Sequence, residues 1–432
     1  MRVIGTVSPA ALLTCGPPPN KRIAMEEHLI ERLGHQGDGI ARGPVFAPRT
    51  LPGERVSGVR DGDRLRDVKI IEPSAERVKP PCRHYKSCGG CQLQHASDET
   101  VAQFKSDVVR HALAAHGIEA QIAPVLTSPA GSRRRATFAL RRTKKGALWG
   151  FHAQGSDVVV AVPDCLLVLP ELVQIDPLMQ ALAQVGGSRK GEMAVTVTHA
   201  EAGLDVSVTG GKPLDNALTL ALSPIAEAHK LARLTWDGDM IGMRAAPVQR
   251  FGAAQVAPPP GAFLQATRDG EAALLNAVQT AVSGARGVDL FAGSGTFTLP
   301  LAAQYEMHAV ESDAAMMQAL DRGWRSSAGL KRVTHEARDL FRRPLLPDEL
   351  NTYDFAVIDP PRAGAEAQVA EIARSDLQTL AYVSCNPVSF ARDASVLINA
   401  GFSLGLIYVV DQFRWSAHVE LAASFTRSHI QR

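Results

Sequence analysis

The stretch Asp289-Leu-Phe-Ala-Gly293-Ser-Gly295-Thr-Phe-Thr-Leu-Pro300 decides the fold. It follows a predicted strand ending at Phe291 and opens a predicted helix. Gly293 and Gly295 let the backbone turn tightly and approach a ligand, where helix N–H groups offer donors. No third glycine stands at the dinucleotide spacing, which disfavours NAD. Glu311, at the end of the next strand, is placed to hold both hydroxyls of a ribose, and the combination fits S-adenosylmethionine better than a dinucleotide. Phe291, Gly293, Gly295, Thr296 and Glu311 are therefore candidate cofactor contacts, with a purely structural turn as the alternative. Asp339, at the end of a further strand, is assigned the adenine contact, and Arg338 is the other candidate. Outward from this turn, strand and helix alternate: a helix over 271–282, strands over 308–310, 355–358 and 381–383, and a helix over 389–397. Such alternation makes a doubly wound parallel sheet.

Asp359-Pro-Pro-Arg362 stands directly after the strand 355–358. Successive prolines stiffen the backbone and remove two donors. A turn at a strand's C-terminal end lies where open α/β sheets bind ligands. Arg362 occupies the place where many amino-methylating enzymes carry an aromatic residue, which argues against methylation of an exocyclic amine. Tyr382-Val-Ser-Cys385-Asn-Pro387 ends the following strand and precedes a helix, whose N-terminus is expected to lower the thiol's pKa. Beside the Pro-Pro turn on one sheet edge, Cys385 reads as a nucleophile rather than as an inert buried thiol. Further on, Asp411-Gln-Phe-Arg-Trp-Ser-Ala-His418-Val-Glu420 ends on a carboxylate with an apolar flank at 421–423. That flank suggests a strand tucked into the sheet, where burial would raise the pKa of Glu420 and suit a general base.

The whole chain has 432 residues, 45% hydrophobic and 21% charged, which is ordinary for folded protein and enough for two or three domains. No apolar run approaches the ~18 residues of a membrane span. The net charge of +2 conceals an asymmetry: residues 1–150 carry 24 Lys/Arg against 14 Asp/Glu, and residues 151–432 carry 22 against 30. A front half at +10 points to a polyanion partner. Its densest part runs through Arg133-Arg134-Arg135, Arg141-Arg142 and Lys144-Lys145, seven cations in thirteen residues without an acid. Contact with RNA phosphates is expected there, a solvated face being the alternative.

Residues 1–24 are an extension of uncertain status, either a functional arm or sequence upstream of a true start at Met25. Residues 25–72 show short strands broken by Gly, Pro and Asp turns, typical of a small barrel of the oligonucleotide-binding type. Residues 73–255 read as a central α+β domain, with helical spacing over 101–116 and strands at 137–140, 158–162 and 195–197. Residues 256–432 hold the doubly wound sheet, entered through Ala257-Pro-Pro-Pro-Gly261. Six cysteines (Cys15 among them) are too few and too unevenly spaced for a disulfide scaffold, and a reducing cytoplasm fits them better. Cys82, Cys88 and Cys91 form a close trio, with Cys165 far along the chain. Four thiolates suit zinc; the trio is more widely spaced than that of radical adenosylmethionine enzymes.

In order, Gly293-Ser-Gly295, Asp359-Pro-Pro-Arg362, Ser384-Cys385-Asn386-Pro387 and His418-Val-Glu420 resemble the motifs of the RNA uracil-C5 methyltransferases. Phe263-Leu-Gln265 matches the element that opens that family's catalytic domain, where the Gln contacts cofactor or uracil. The front half resembles the iron–sulfur branch acting on 23S ribosomal RNA. The resemblance runs from about residue 25 to the end. It implies a TRAM domain in the barrel, a Rossmann-like class I methyltransferase sheet, S-adenosylmethionine as cofactor, and a [4Fe–4S] cluster on Cys82, Cys88, Cys91 and Cys165. It further implies that Cys385 adds to uracil C6, that Glu420 removes the C5 proton, and that Asp359 holds the pyrimidine edge or the cofactor amine. Arg362 would orient the C4 oxygen. The product would be 5-methyluridine in a loop or single strand of 23S rRNA, a site of the 1939 type being favoured, made by a monomeric cytoplasmic enzyme. The rival readings are the same chemistry on another rRNA or tRNA uridine, and a non-catalytic iron–sulfur RNA-binding or assembly factor. Two places depart from the family pattern: Thr267 stands where Asn is common, and Arg414 and Ser416 replace Pro and Thr. They bear on a cofactor contact and on the placement of the strand that carries the base.

Overall fold

The computed structural model describes residues 25–427. The N-terminal extension with Cys15, and residues 428–432, lie outside the described part. The C-terminal sheet has eight strands in the order Val333–Ala337, Glu306–Glu311, Arg286–Leu290, Phe355–Ile358, Thr379–Ser384, Glu420–Thr426, Ser403–Asp411 and Leu126–Thr127. The first five are parallel, and Glu420–Thr426 runs antiparallel to both of its neighbours. Strands such as Phe355-Ala-Val-Ile358 are apolar at every position because helices cover both faces. Alternate residues feed two cores: Ala356, Ile358 and Tyr382 face one side, Phe355, Val357, Ala381 and Val383 the other. Strand order reverses beside Arg286–Leu290, which opens a crevice at the C-terminal ends of the strands.

The expected elements are present; the strand over 355–358 has the expected ends and the others are shifted. The helix read at 271–282 is Arg268–Ala281, because Thr267 caps it by accepting from the Gly270 N–H at 3.0 Å. The departure at Thr267 is thus a helix cap. In the front part, Met25–Leu33, Gly39–Ala41, Val45–Ala47, Arg55–Asp61 and Arg64–Glu72 close a five-stranded barrel around Ile30, Val45, Val56 and Leu65. In the centre, seven strands between Arg135 and Met243 form a second sheet, covered by the helices Asp176–Gly186 and Asn216–Ala228.

One expected boundary moves. The helix Asp98–Ala114 and the strand Leu126–Thr127, read as part of the central domain, belong to the C-terminal one. Val109 and Leu113 share a core with Phe390 and Leu397, and Leu126–Thr127 pairs with the end of Ser403–Asp411. The reason lies on the helix's buried stripe, which carries Lys105 between Val101 and Val109. Lys105 is fully buried and its ammonium donates to Asp411 Oδ1 (2.5 Å), the Phe413 carbonyl (3.2 Å) and the His418 carbonyl (2.8 Å). Burial pushes its pKa down and the Asp411 charge opposes this. Three donors thus meet three acceptors, and they can do so only against this sheet. No helix among the described residues is long and apolar enough to cross a membrane.

Removing one partner of a buried ion pair strands the other charge, at a cost of about 3–5 kcal/mol, whereas an apolar pair of similar volume is tolerated. Lys105→Met is therefore expected to lower stability to urea by about that amount, and Lys105→Met combined with Asp411→Leu to recover most of the loss. Equal stability of Lys105→Met and the parent protein would show that this pair does not hold the helix.

Candidate active site

The strand pairing sets the geometry. Ser384 lies across from Leu421, so Cys385, just past the end of one strand, and Glu420, the first residue of the other, come together at the mouth of the crevice. Both line a cavity of about 720 Å3. On one wall stand Phe291, Gly293, Thr296, Glu311 and Asp339; on the other stand Gln265, Asp359, Arg362, Cys385 and Glu420. Every sequence-predicted catalytic and cofactor residue therefore meets in one place except Gly295, which lies beneath the turn. A side chain there would collide with Leu299 and Leu320.

The Gly-turn wall is built as a cradle. Gly293 has φ +55°, and a Cβ on it would point into open space. Glu311 Oε2 accepts the Gly293 N–H at 3.2 Å, and its other oxygen accepts from Ser312 and Asp313. The buried Ser294 hydroxyl has no hydrogen-bond partner among the described residues. A turn with an open Gly position, a fixed carboxylate and an orphan hydroxyl suits a nucleoside ligand. Both adenine candidates line the cavity, but the Arg338 guanidinium is taken up by Glu349 and by the Arg343 and Pro344 carbonyls. Phe341, half-exposed and 5.4 Å from the Phe291 ring, lines the same wall and was not singled out from the sequence.

The opposite wall is acidic and dry. Burial raises Glu420 to about 8, reinforced by Asp359 and opposed by a hydrogen bond from Gln412 and by Arg362 and Lys105. Asp359 is raised to about 7 by burial and by Asp289. The expectation that a helix N-terminus would lower the Cys385 pKa is corrected: burial, then the charges of Glu420 and Asp359, push it up to about 11, against Arg362. Arg362 donates to His418 Nδ1 at 2.6 Å, and its main-chain carbonyl is held by Asn386 and Ser389. The Arg414 departure pairs with Asp98, and Ser416 Oγ accepts the His418 N–H, so both substitutions brace the base-carrying loop.

The basic run is divided rather than presented as one face. Arg134 is buried against Glu271 (2.5 Å) and the Gln265 carbonyl, and Arg135 donates to the Gly261 carbonyl. Arg133 stacks over Phe413 and lines the cavity. Arg141 pairs with Glu192 and Arg142 reaches the Gly187 carbonyl, leaving Lys144 and Lys145 exposed at a hairpin tip. The cause is strand geometry: cations packed into one strand of a sheet must point to alternate sides.

The cysteine loop roofs the cavity. Gly89, Gly90 and Gln92 line it, and the Gln92 and Leu93 N–H groups donate to the Trp415 carbonyl at 2.8 and 2.9 Å. Cys82, Cys88, Cys91 and Cys165 are free thiols, each partly exposed. Burial raises Cys88, Cys91 and Cys165; Cys82 and Cys165 push Cys88 further, the other three push Cys91 to about 12, and Cys82 pushes Cys165. The four are therefore electrostatic neighbours. Among the described residues, no three His, Cys, Asp or Glu side chains form a group that could hold a metal ion.

Lys105 and Gln412 were missed. A lysine on the 101–105–109 stripe of a predicted amphipathic helix was a legible sign of a buried ion pair; Gln412 carried no signal beyond its place next to Asp411.

Known proteins agree with this geometry. The family described as tRNA (uracil-5-)-methyltransferase matches residues 259–428. A protein of Mesorhizobium japonicum described as an uncharacterized RNA methyltransferase is 46% identical over 409 residues, 93% of this chain and 98% of that protein. The 23S rRNA (uracil(1939)-C(5))-methyltransferase RlmD of Halomonas elongata is 34% identical over 441 residues, 91% of this chain and 88% of that protein. Among solved structures, the tRNA (uracil-54, C5)-methyltransferase of Pyrococcus abyssi in complex with S-adenosyl-L-homocysteine has a TM-score of 0.73. It covers 93% of this chain and 99% of that one at 22% identity, a likeness that concerns the fold alone. With relatives matched over more than nine-tenths of its length, the chain belongs to the S-adenosylmethionine-dependent RNA uracil-C5 methyltransferases.

Proposed function

We propose that the chain makes 5-methyluridine in 23S rRNA by covalent catalysis from Cys385. The observation that carries this reading is the meeting of Cys385, Glu420 and Asp359 in one cavity with the Gly293 turn. The name of the Halomonas relative supports 23S rRNA, at a uridine of the 1939 type, as does the combination of a barrel with a cysteine loop.

Uracil C5 is too weak a nucleophile to be methylated unaided. When bound, S-adenosylmethionine supplies an electrophilic methyl group, held by Gly293, Glu311 and Asp339. Cys385 gives its proton to solvent and adds through sulfur to C6, so that the C5–C6 pair of electrons moves toward C5 and O4. Arg362 stands where it can meet the charge developing on O4. After methyl transfer, Glu420 takes the C5 proton, the C6–S bond breaks, and Cys385 leaves as thiolate with the ring double bond restored. The proton then passes from Glu420 to solvent. The target uridine must leave its stack to reach Cys385, which is cheapest in a loop or single strand. The TRAM-like barrel and the exposed Lys144 and Lys145 are proposed to hold the RNA backbone, a contact that weakens as salt rises.

For the four cysteines we favour a [4Fe–4S] cluster on Cys82, Cys88, Cys91 and Cys165. What supports this reading is the trio Cys82, Cys88 and Cys91 with Cys165 far along the chain, four thiols that are electrostatic neighbours. The cluster's place is structural: the loop it would brace donates to the Trp415 carbonyl of the base-carrying segment.

Three results are expected. Incubated with unmodified 23S rRNA, the protein yields 5-methyluridine by mass spectrometry; Cys385→Ala yields none and no RNA–protein adduct, while Glu420→Gln accumulates a methylated adduct. Full activity of Cys385→Ala would overturn the mechanism. Next, kcat, which includes C5 deprotonation after methyl transfer, should rise with pH through about 8, where Glu420 becomes anionic, and further toward about 11 as Cys385 ionises; adduct breakdown in Glu420→Gln should lack the limb near 8. Because Glu420 and Asp359 hold protons in the native state that they release in the unfolded one, stability should fall as pH rises from about 4.5 toward 8. A flat rate profile would contradict the assignment of the base. Finally, anaerobically purified protein should be brown with visible absorption that Cys88→Ser abolishes; a colourless, zinc-loaded protein would contradict the cluster.

A further inference from the structure

The hydrogen-bond polarity of the inner wall is set by one main-chain amide. The Ala266 N–H can only donate, and it donates to Gln412 Oε1 at 2.8 Å. The Gln412 side-chain amide is thereby fixed: its NH2 group must face the other way. That NH2 donates to Gln265 Oε1 at 2.5 Å, and Gln412 also hydrogen-bonds the Glu420 carboxyl. With its oxygen occupied by a donor, Gln265 is fixed in turn, and its NH2 donates to Asp359 Oδ2 at 3.3 Å. Gln265, Gln412 and Glu420 are each only 2% exposed, so water cannot relax this order. The two carboxyl groups of the site are therefore linked by two amides that point in a single sense.

Gln412 is itself held from below. Its neighbours Asp411 and Phe413 both bind the Lys105 ammonium, which fixes the backbone on either side. The second N–H of Gln265 remains for the cavity, which Gln265 lines.

We propose that Gln412 is a positioning residue that makes Gln265 a hydrogen-bond donor toward the pyrimidine, so that the pocket takes a ring carbonyl and rejects an exocyclic amine. Uracil offers O4 where cytosine offers an amine, and a donor fixed against a donor leaves two buried groups unpaired. The proposal rests on the covalent uridine reading above and adds a source of base specificity to it.

The test uses the full-length protein and two variants. Gln412→Glu keeps the length and the oxygen that Ala266 needs, but it cannot donate as an anion, so Gln265 is free to turn over. Gln412→Met is uncharged, of similar volume, and removes both donors. The substrates are the 23S rRNA transcript that the parent protein methylates and the same transcript with cytidine at the target. For both variants, kcat on the uridine transcript should fall about 10–100-fold, roughly one to two buried hydrogen bonds. The RNA KM and S-adenosylhomocysteine binding should stay within about threefold, and the ratio of uridine to cytidine methylation should drop at least tenfold. A space-filling Gln412 would leave that ratio unmoved in Gln412→Met; an unchanged ratio in both variants overturns the proposal. If the parent protein methylates no uridine, the functional reading fails instead, and the two failures are distinct.

Discussion

The antiparallel pairing of Glu420–Thr426 with Thr379–Ser384 is the constraint on which the site depends. In a strand the side chains alternate, so a slip of one residue would turn Glu420 to the other face and separate it from Cys385. The register Ser384 to Leu421 is held at both ends of the segment that precedes it. Lys105 binds Asp411, Phe413 and His418 from beneath, and the cysteine loop binds Trp415 from above. A ten-residue stretch without regular structure in its middle thus delivers a carboxylate to a fixed place.

Burial gives that arrangement its chemistry. A thiol and two carboxyl groups share one poorly solvated wall, where burial raises all three; Asp359 raises Glu420 further, and both carboxylates raise Cys385. In the proposed reaction one proton must leave Cys385 before sulfur attacks, and a second, from C5, must later pass to Glu420. A carboxyl group titrating near neutrality serves this better than one at the ordinary value, since it is neither always protonated nor too weak a base. The guanidinium of Arg362 is the nearby counter-charge that opposes the shift at both Cys385 and Glu420.

Much of this was legible in the sequence because strand ends and chemistry coincide. The Gly293 turn, Asp359-Pro-Pro and Cys385 each follow a run whose hydrophobic pattern marks a strand, and parallel strands bring their C-terminal ends together; Glu420 opens an antiparallel strand, whose start lies at the same edge. The central part was less legible, since the helix Asp98–Ala114 reads as amphipathic wherever it packs. Only a partner for Lys105, more than 300 residues away in the chain, assigns it to the C-terminal sheet. The basic run misled for a related reason: charge counted along a strand says nothing of which cations meet acids across it, as Arg134 meets Glu271. The Cys385 pKa went the wrong way because the helix end is a local feature, while the burial that dominates and the carboxylates that add to it come from the packing of other strands.

The cysteine loop lies between the central sheet, where Gly89 donates to the His152 carbonyl, and the base-carrying segment at Trp415. It ties the part of the chain rich in cations to the part that carries the chemistry. The central claim is nevertheless about a single sulfur atom. It is tested most directly with 23S rRNA carrying 5-fluorouridine, in which fluorine replaces the proton that Glu420 must remove, so the enzyme should stall after methyl transfer. Digestion and mass spectrometry should then find the methylated fluoropyrimidine linked to the peptide containing Cys385. Linkage to another cysteine, or methyl transfer without any linkage, would contradict the account.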